Sequence, residues 1–482
     1  MKNLHTIHIL LMLAISTTLV GQKLPRQLLK GVQIESMTRD LAVLTSDSLE
    51  GRNTREPGAE KAARYIESRY QKMGLKPYDG QSYRQRFDLW KTSWQPVRLS
   101  VRGQIIADSL ITYLGRVPQN DMINRDLVYV GDAGDSLLSG IDLTDKIALV
   151  AMSDMKVSYR LKSKLEAAGA WGIFAFNPSS PSQYMQIRTN YLKYLNALNA
   201  SSVRPETATS GSRFYILSNE AVMLLTGWSS LQLTSCEGRE ELPDSFAVPV
   251  QLQTAMSVEP VPAWNIIGVI PGKGVDKQTI ALTAHYDHVG RDQNGEICRG
   301  ADDNASGVAA ILQVADVMTR KGKQPYHDIM VVAFSGEEIG LIGSAYFTNH
   351  PPVERFLANV NIDMIGRQDT LGHDNYVYIL GADKTPWLDS LHRSINEQTV
   401  NLVLDGHYAH ETGSSSLMNR SDHFHFYRQD IPVIAFFSGL HGDYHTPRDT
   451  MDKLDLELMA KRIRLVLGTV YQMAVQPDLS SH

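Results

Sequence analysis

The stretch Thr279-Ile280-Ala281-Leu282-Thr283-Ala284-His285-Tyr286-Asp287-His288 runs an apolar, β-prone segment straight into two histidines and an aspartate. Such a run predicts a buried strand whose chemistry sits at its carboxyl end. Side chains alternate along a strand, so His285 and Asp287 project to one side if the chain stays extended there. A metal-binding histidine commonly has a carboxylate near its ring. The same spacing also fits a solvated polar strand end, so this segment alone does not decide between the two.

The pattern around it repeats. Apolar strands are expected at Asn265–Ile270, Thr279–Ala284, Ile329–Phe334, Ala358–Met364, Tyr376–Leu380 and Pro432–Phe437. Amphipathic helices are expected at Ser306–Thr319, Pro386–Thr399 and Leu456–Met473. This alternation predicts an α/β fold with a mixed, mostly parallel central sheet flanked by helices. In such sheets functional groups gather beyond the carboxyl ends of the strands. Two helices are expected between Ser36 and Leu75, separated by a loop marked by Gly51-Arg52 and Pro57-Gly58.

From Val97 the texture changes to short strands, Val97–Val101, Leu127–Val130, Ile147–Val150 and Trp171–Phe176, with a helix at Leu161–Ala168. A polar loop is expected from Asn177 to about Ser212, then more strand up to Val258. The expected organisation is a leader at 1–21, a first part of the main domain at 22–96, a β-rich insertion at 97–259, and the second part at 260–482. Glu259–Pro262 reads as the linker back.

Composition sets outer bounds. The 482 residues, 43% hydrophobic and 21% charged, suffice for two or three domains and exclude disorder throughout. A net charge of −5 gives no electrostatic reason to expect nucleic acid as a partner. The two cysteines, Cys236 and Cys298, cannot build a disulfide framework or a four-thiolate metal site. Whether they pair with each other stays open. Any metal must be held mainly by His, Asp and Glu. Lys2, the apolar run Ile7–Val20 and Gly21 have the layout of a cleaved secretory leader. The mature chain is therefore expected to be secreted or periplasmic, with no stable membrane span. A buried amino-terminal helix is the alternative.

Four further segments carry candidate chemistry. Arg299-Gly300-Ala301-Asp302-Asp303-Asn304 leads into a helix, where acids are ordinary caps but where one carboxylate could also bridge two cations. Ser335-Gly336-Glu337-Glu338 ends a buried strand, and its pair of glutamates divides into a metal ligand and a proton carrier, or serves a helix dipole. Asp363 is read inside an apolar strand, where burial is expensive unless it is paired or bound to metal. Gly442-Asp443-Tyr444-His445-Thr446-Pro447 offers a final histidine and a phenol able to donate to developing oxyanion charge.

Taken together, these segments resemble the co-catalytic di-zinc aminopeptidase family, metallopeptidase family twenty-eight, from Trp264 to about Leu454, and more weakly from Gly51 to Leu75. The resemblance implies two Zn2+ per chain. His285 and Asp363 would bind one ion, Glu338 and His445 the other, and Asp303 would bridge them. Asp287 would orient His285, Glu337 would be the general base, and Tyr444 would stabilise the oxyanion. Its substrates would be peptides or small proteins with a free amino terminus. The insertion resembles a protease-associated domain through Gly140-Ile141-Asp142-Leu143-Thr144-Asp145-Lys146-Ile147-Ala148-Leu149-Val150 and Gly172-Ile173-Phe174.

Other readings use the same residues. A glutaminyl cyclase-like enzyme would need one zinc, and a carboxypeptidase could use Arg299 or Arg367 for a terminal carboxylate. A non-catalytic binding or receptor module should lack metal ligands or Glu337. His288, His423 and His441 read as structural polar residues or as supports of the ligands. His407, His410 and Glu411 read as an exposed loop, and Met364, Phe424, Phe426 and Tyr427 as core or pocket lining. Neither His-Glu-x-x-His nor Gly-x-Ser-x-Gly occurs.

Overall fold

A computed structural model describes residues 24–479, apart from 95–96, 115–121, 135–137, 139, 154–158, 202, 205–212, 235–246, 254–255, 370, 372–373 and 411–415. The leader-like segment, Cys236 and Glu411 lie outside the described residues. The chain divides into two compact units, Met1–Phe87 with Pro262–His482, and Asp88–Val261. No helix among the described residues is long and apolar enough to cross a membrane.

In the first unit two helices, α1 (Ile34–Leu44) and α2 (Pro57–Met73), precede the alternating part. There follow β1 (Met256–Ile270, in this unit from Pro262 on), β2 (Thr279–His285), α3 (Gly307–Lys321), β3 (Asp328–Phe334), α4 (Ile342–Asn349) and β4 (Phe356–Ile362). Then come β5 (Tyr376–Leu380), α5 (Pro386–Thr399), β6 (Val403–Asp405), β7 (Val433–Phe437) and α6 (Leu456–Val475). The strands lie in the order β6-β5-β7-β4-β2-β3-β1. Parallel pairing joins β3, β2, β4 and β7, as well as β5 and β6, while β1 and β5 meet β3 and β7 antiparallel. The sheet is thus mixed.

Every residue of β2 is buried, because helices cover both of its faces. Ile280, Leu282 and Ala284 pack with Ile311 and Leu312 of α3 and Ile463 and Val466 of α6. Ala281 joins Met330, Val332, Phe334 and Phe347 on the opposite face. The period of two along the strands and the all-round burial of α3 from Gly307 to Ala315 follow from this sandwiching.

Two boundaries differ from the sequence reading. The fourth strand stops at Ile362, since Met364 takes φ +53° and turns the chain out of the ladder. Asp363 is therefore at the strand's end and not inside it. The third helix begins at Gly307, and residues Ala301–Ser306 form a separate turn before it.

The second unit holds an eight-stranded sheet. Its central strands Met122–Tyr129, Ile147–Ala151, Gly172–Phe176 and Phe214–Leu217 pair in parallel. Leu149 and Phe174 face one core, Val150 and Ile173 the other. The expected polar loop is instead largely a helix, Pro181–Ser201. Proline opens it, buried Tyr184 donates to the Ser109 carbonyl at 2.8 Å, and Arg188 donates to the Asp108 carbonyl at 2.7 Å. Apolar and polar residues are interspersed along the segment without a distinct apolar face, which masked the helix.

One buried guanidinium ties the amino-terminal loop of the first unit to the sheet edge. Arg52 donates to the carbonyls of Tyr286 (2.9 Å), Leu44 (2.5 Å), Arg299 (2.6 Å) and Gly300 (2.9 Å). Neighbouring Gly51 has φ +73°, and a Cβ there would stand 2.2 Å from the Gly290 carbonyl, so only glycine permits the approach. Arg52→Met should leave these carbonyls unpaired and destabilise the protein by about 3 kcal/mol or more. Urea unfolding checks this, and a midpoint equal to wild type would show the contacts to be dispensable.

Candidate metal centre

The parallel neighbours β7, β4, β2 and β3 end on one edge of the sheet, and each delivers functional groups there. His285 is the last residue of β2, with Asp287 and His288 just beyond. Glu337 and Glu338 follow β3, Asp363 follows β4, and Tyr444 and His445 lie in the loop after β7. Asp303 comes from the turn before α3. Gly300, at φ +56°, opens that turn, and a Cβ on it would meet the Asp303 carbonyl at 2.1 Å.

Asp303 stands at the centre. Its Oδ1 is 3.5 Å from His285 Nε2, while Oδ2 is 3.1 Å from His445 Nε2 and 3.5 Å from His288 Nδ1. On one side His285 Nε2 lies 3.3 Å from Asp363 Oδ1 and 3.9 Å from Glu337 Oε2. On the other, Glu338 reaches His445 Nε2 at 3.0 Å and His288 Nδ1 at 2.8 Å. Two sets able to hold a cation result, His288, Asp303, Glu338 and His445, and His285, Glu337 and Asp363, each with donor atoms within 4.8 Å of one another.

Among the described residues, every ion-pair partner of Asp303, Glu337, Glu338 and Asp363 is an imidazole. Burial, with repulsion from Glu338 and Asp363 and against the pull of His285, drives the Glu337 carboxyl well above its ordinary range. Burial opposes a charged His445, yet Asp303 and Glu338 outweigh it and raise the pKa to about 10. Glu338 goes the other way: burial would raise it, but hydrogen bonds from His288 and His445 hold it well below the usual carboxylate range. Four packed carboxylates with imidazoles as their counterparts are an arrangement that a divalent cation relieves. The donor set, imidazole nitrogen and carboxylate oxygen, fits such cations.

Asp287 works differently from the expected imidazole clamp. His285 Nδ1 is 3.1 Å from the Asp287 backbone carbonyl, whereas the carboxylate Oδ1 stands 3.8 Å away. That carboxylate instead accepts from Thr54 Oγ1 at 2.8 Å and from the backbone N–H groups of Glu337 (3.3 Å) and Glu338 (3.4 Å). Asp287 therefore holds the glutamate pair from beneath.

The loop carrying Tyr444 and His445 has its own fastening. Asp443 is bonded by Lys453 Nζ at 2.8 Å, Arg448 Nε at 2.9 Å and an Arg367 nitrogen at 3.2 Å. His445 itself sits at φ +57°, and Tyr444 stacks on its ring at 3.8 Å. Beside the cluster lies a cleft. His285, Asp303, Glu337, Asp363 and Tyr444 line one part, and Met364, Leu380, Leu417, Phe437 and Leu440 give it an apolar wall.

The family model described as Peptidase family M28 matches residues 265–470, the span holding all these groups but those of the α1–α2 loop. The chain belongs to peptidase family M28. Aminopeptidase YwaD of Bacillus subtilis (strain 168) is 30% identical over 219 residues, 43% of this chain and 44% of that protein. Uncharacterized protein YfbL of Escherichia coli (strain K12) is 30% identical over 224 residues, 41% of this chain and 67% of that protein. The chain thus spans less than half the length of YwaD. Among solved structures, an aminopeptidase from Aneurinibacillus sp. strain AM-1 shares the fold, with TM-score 0.51, 20% identity, and coverage of 95% of this chain and 97% of that one.

Within this M28 chain, several residues that the sequence left bland belong to the site. His288 contacts two carboxylates of the cluster, and no spacing rule distinguishes it from the histidine three positions earlier. His441 lies 3.5 Å from Asp302, outside the cluster. His423 is buried and lines the cleft. Met364 lines the cleft as well, while Phe426 belongs to the core. His407 meets the Tyr408 ring edge-on at 4.7 Å and belongs to neither cation-binding set. His288→Ala should weaken divalent-cation binding by about 10–100-fold. Competition with a chromophoric chelator measures this, and unchanged affinity would make His288 a bystander.

Proposed function

We propose that the protein is a zinc-dependent aminopeptidase that removes amino-terminal residues from peptides. One observation carries the reading: the two oxygens of Asp303 face two separate clusters, with Glu337 beside them. In this reading His285 and Asp363 hold one zinc ion, Glu338 and His445 hold a second, and Asp303 serves both. When bound, two such ions acidify a water and polarise a scissile carbonyl.

The chain's own residues supply the rest. Glu337 takes a proton from the attacking water as its oxygen bonds to the carbonyl carbon, and passes the proton to the departing amine as the C–N bond breaks. Asp287 fixes where Glu337 stands by accepting its backbone N–H. Tyr444 donates its O–H to the carbonyl oxygen as negative charge builds there. Burial, reinforced by Asp303 and Glu338, pushes its pKa far up, so the phenol keeps its proton for that bond. The carboxylates favour a free amino group at the reacting end, and the apolar wall receives the first side chain.

The carboxypeptidase alternative loses its candidate arginines, since Arg299 pairs with Asp47 at 2.8 Å and Arg367 with Asp443 at 3.2 Å. Export of the mature chain rests on the pattern of residues 1–21. The inserted unit is read as protease-associated-like on the motif at Gly140–Val150.

Hydrolysis of aminoacyl amides, run beside amino-blocked copies, tests the reading. Free-amine substrates alone should be cleaved, with activity lost to chelator and restored by zinc. No hydrolysis of any free-amine substrate by zinc-replete protein would sink it. Glu337→Gln should keep zinc and lose about 100-fold or more in kcat. Asp303→Ala should lower the zinc stoichiometry measured by atomic absorption, and an unchanged stoichiometry would remove Asp303 from the bridging role.

A further inference from the structure

The segment Leu417–His423 contributes Leu417, Arg420, Ser421 and His423 to the cleft. Arg420 is the one Lys or Arg among the described lining residues. The other arginines around the site are engaged: Arg52 by carbonyls, Arg299 by Asp47, and Arg367 and Arg448 by Asp443. The Arg420 side chain is exposed and has no hydrogen-bond or ion-pair partner among the described residues. Three positions on, His423 is 2% exposed and lines the same cleft, yet neither of its ring nitrogens makes a hydrogen bond.

The buried His423 imidazole left unpaired is costly, and the exposed guanidinium of Arg420 beside it is free to take a partner. Both a guanidinium and an imidazole N–H suit an oxygen anion, and a guanidinium can grip a carboxylate through two parallel bonds. Thr54 and Asp287 show how the polar groups on the β3 side of the site are satisfied internally. On the Leu417–His423 side Ser421 accepts from Asn361 Nδ2 at 2.9 Å, but the side chains of Arg420 and His423 lack such closure, so a ligand is what completes them.

We propose that Arg420, assisted by His423, is a specificity site for a carboxylate of the peptide substrate. This rests on the peptidase reading and narrows its substrate class. The carboxylate has two possible sources, an acidic amino-terminal side chain or the carboxyl terminus of a dipeptide. In both cases the same Arg420 charge disfavours a cationic side chain near it.

Binding to the zinc-loaded Glu337→Gln protein, measured by calorimetry, separates this inference from turnover. Two pairs of ligands are compared: glutamyl amide against glutaminyl amide, and Leu-Gly against Leu-Gly amide. The expected result is at least about 10-fold tighter binding of the carboxylate member in one pair, which identifies the source. In Glu337→Gln/Arg420→Met that gap should close. Equal affinities within both pairs, or a gap that survives Arg420→Met, would overturn the proposal. Hydrolysis by the wild-type protein is scored apart, so failure of the peptidase reading and failure of the carboxylate site give different results.

Discussion

Four carboxylates held within a few ångströms of one another, out of water, are the constraint that organises the first unit. Two like charges about 4 Å apart repel by roughly 4 kcal/mol at the effective dielectric of a protein surface, and more where water is excluded. Among the described residues, Asp303, Glu337, Glu338 and Asp363 carry that burden with His285, His288 and His445 as their ion-pair counterparts. The raised carboxyl of Glu337 and the raised imidazolium of His445 are two expressions of it. A fold that concentrates charge in this way needs a rigid frame, and a cation turns the repulsion into coordination.

The frame is the parallel register of β7, β4, β2 and β3. It sets four strand ends side by side, so that short loops suffice to bring groups from across 160 residues of sequence together. Beneath the loops lies a second set of contacts made to backbone. Asp287 accepts from the N–H groups of Glu337 and Glu338. Buried Asp449 accepts from those of Asp302 and Asp303 at 3.0–3.1 Å. Arg52 collects the carbonyls around Gly300. Acids therefore serve two purposes here, some facing the cluster and some gripping the chain that carries it.

Much of this could be read from the sequence, and the reasons for success and failure are physical. The buried strands were legible because burial on both faces demands uninterrupted apolar runs such as Ile329–Phe334. The clustered residues were legible because His, Asp and Glu are out of place at the ends of such runs. His288 was not, since a strand end gives no rule for where a chain points once it leaves the ladder. The family resemblance implied that Asp287 orients His285; the strand stops at His285, and beyond it the Asp287 carbonyl meets the ring while the carboxylate turns toward the backbone of Glu337. The helix Pro181–Ser201 escaped because its apolar residues, Met185, Ile187 and Leu192 among them, are spread around the helix instead of gathered on one face.

The two clusters are also fastened by different physics. His285 and Asp363 sit at strand ends whose ladders continue into the core, and their side chains are 1% and 17% exposed. His445 is 35% exposed and hangs on a loop pinned largely by charges on Asp443. Lys453 and Arg448 in that network are solvent-facing, so salt screens them far more than it screens a sheet hydrogen bond. The left-handed backbone of His445 adds strain that the same loop contacts must hold. His445 is consequently the donor of the centre whose position depends most on screenable charges, while Glu338 and His288 on the same side are 6% and 0% exposed.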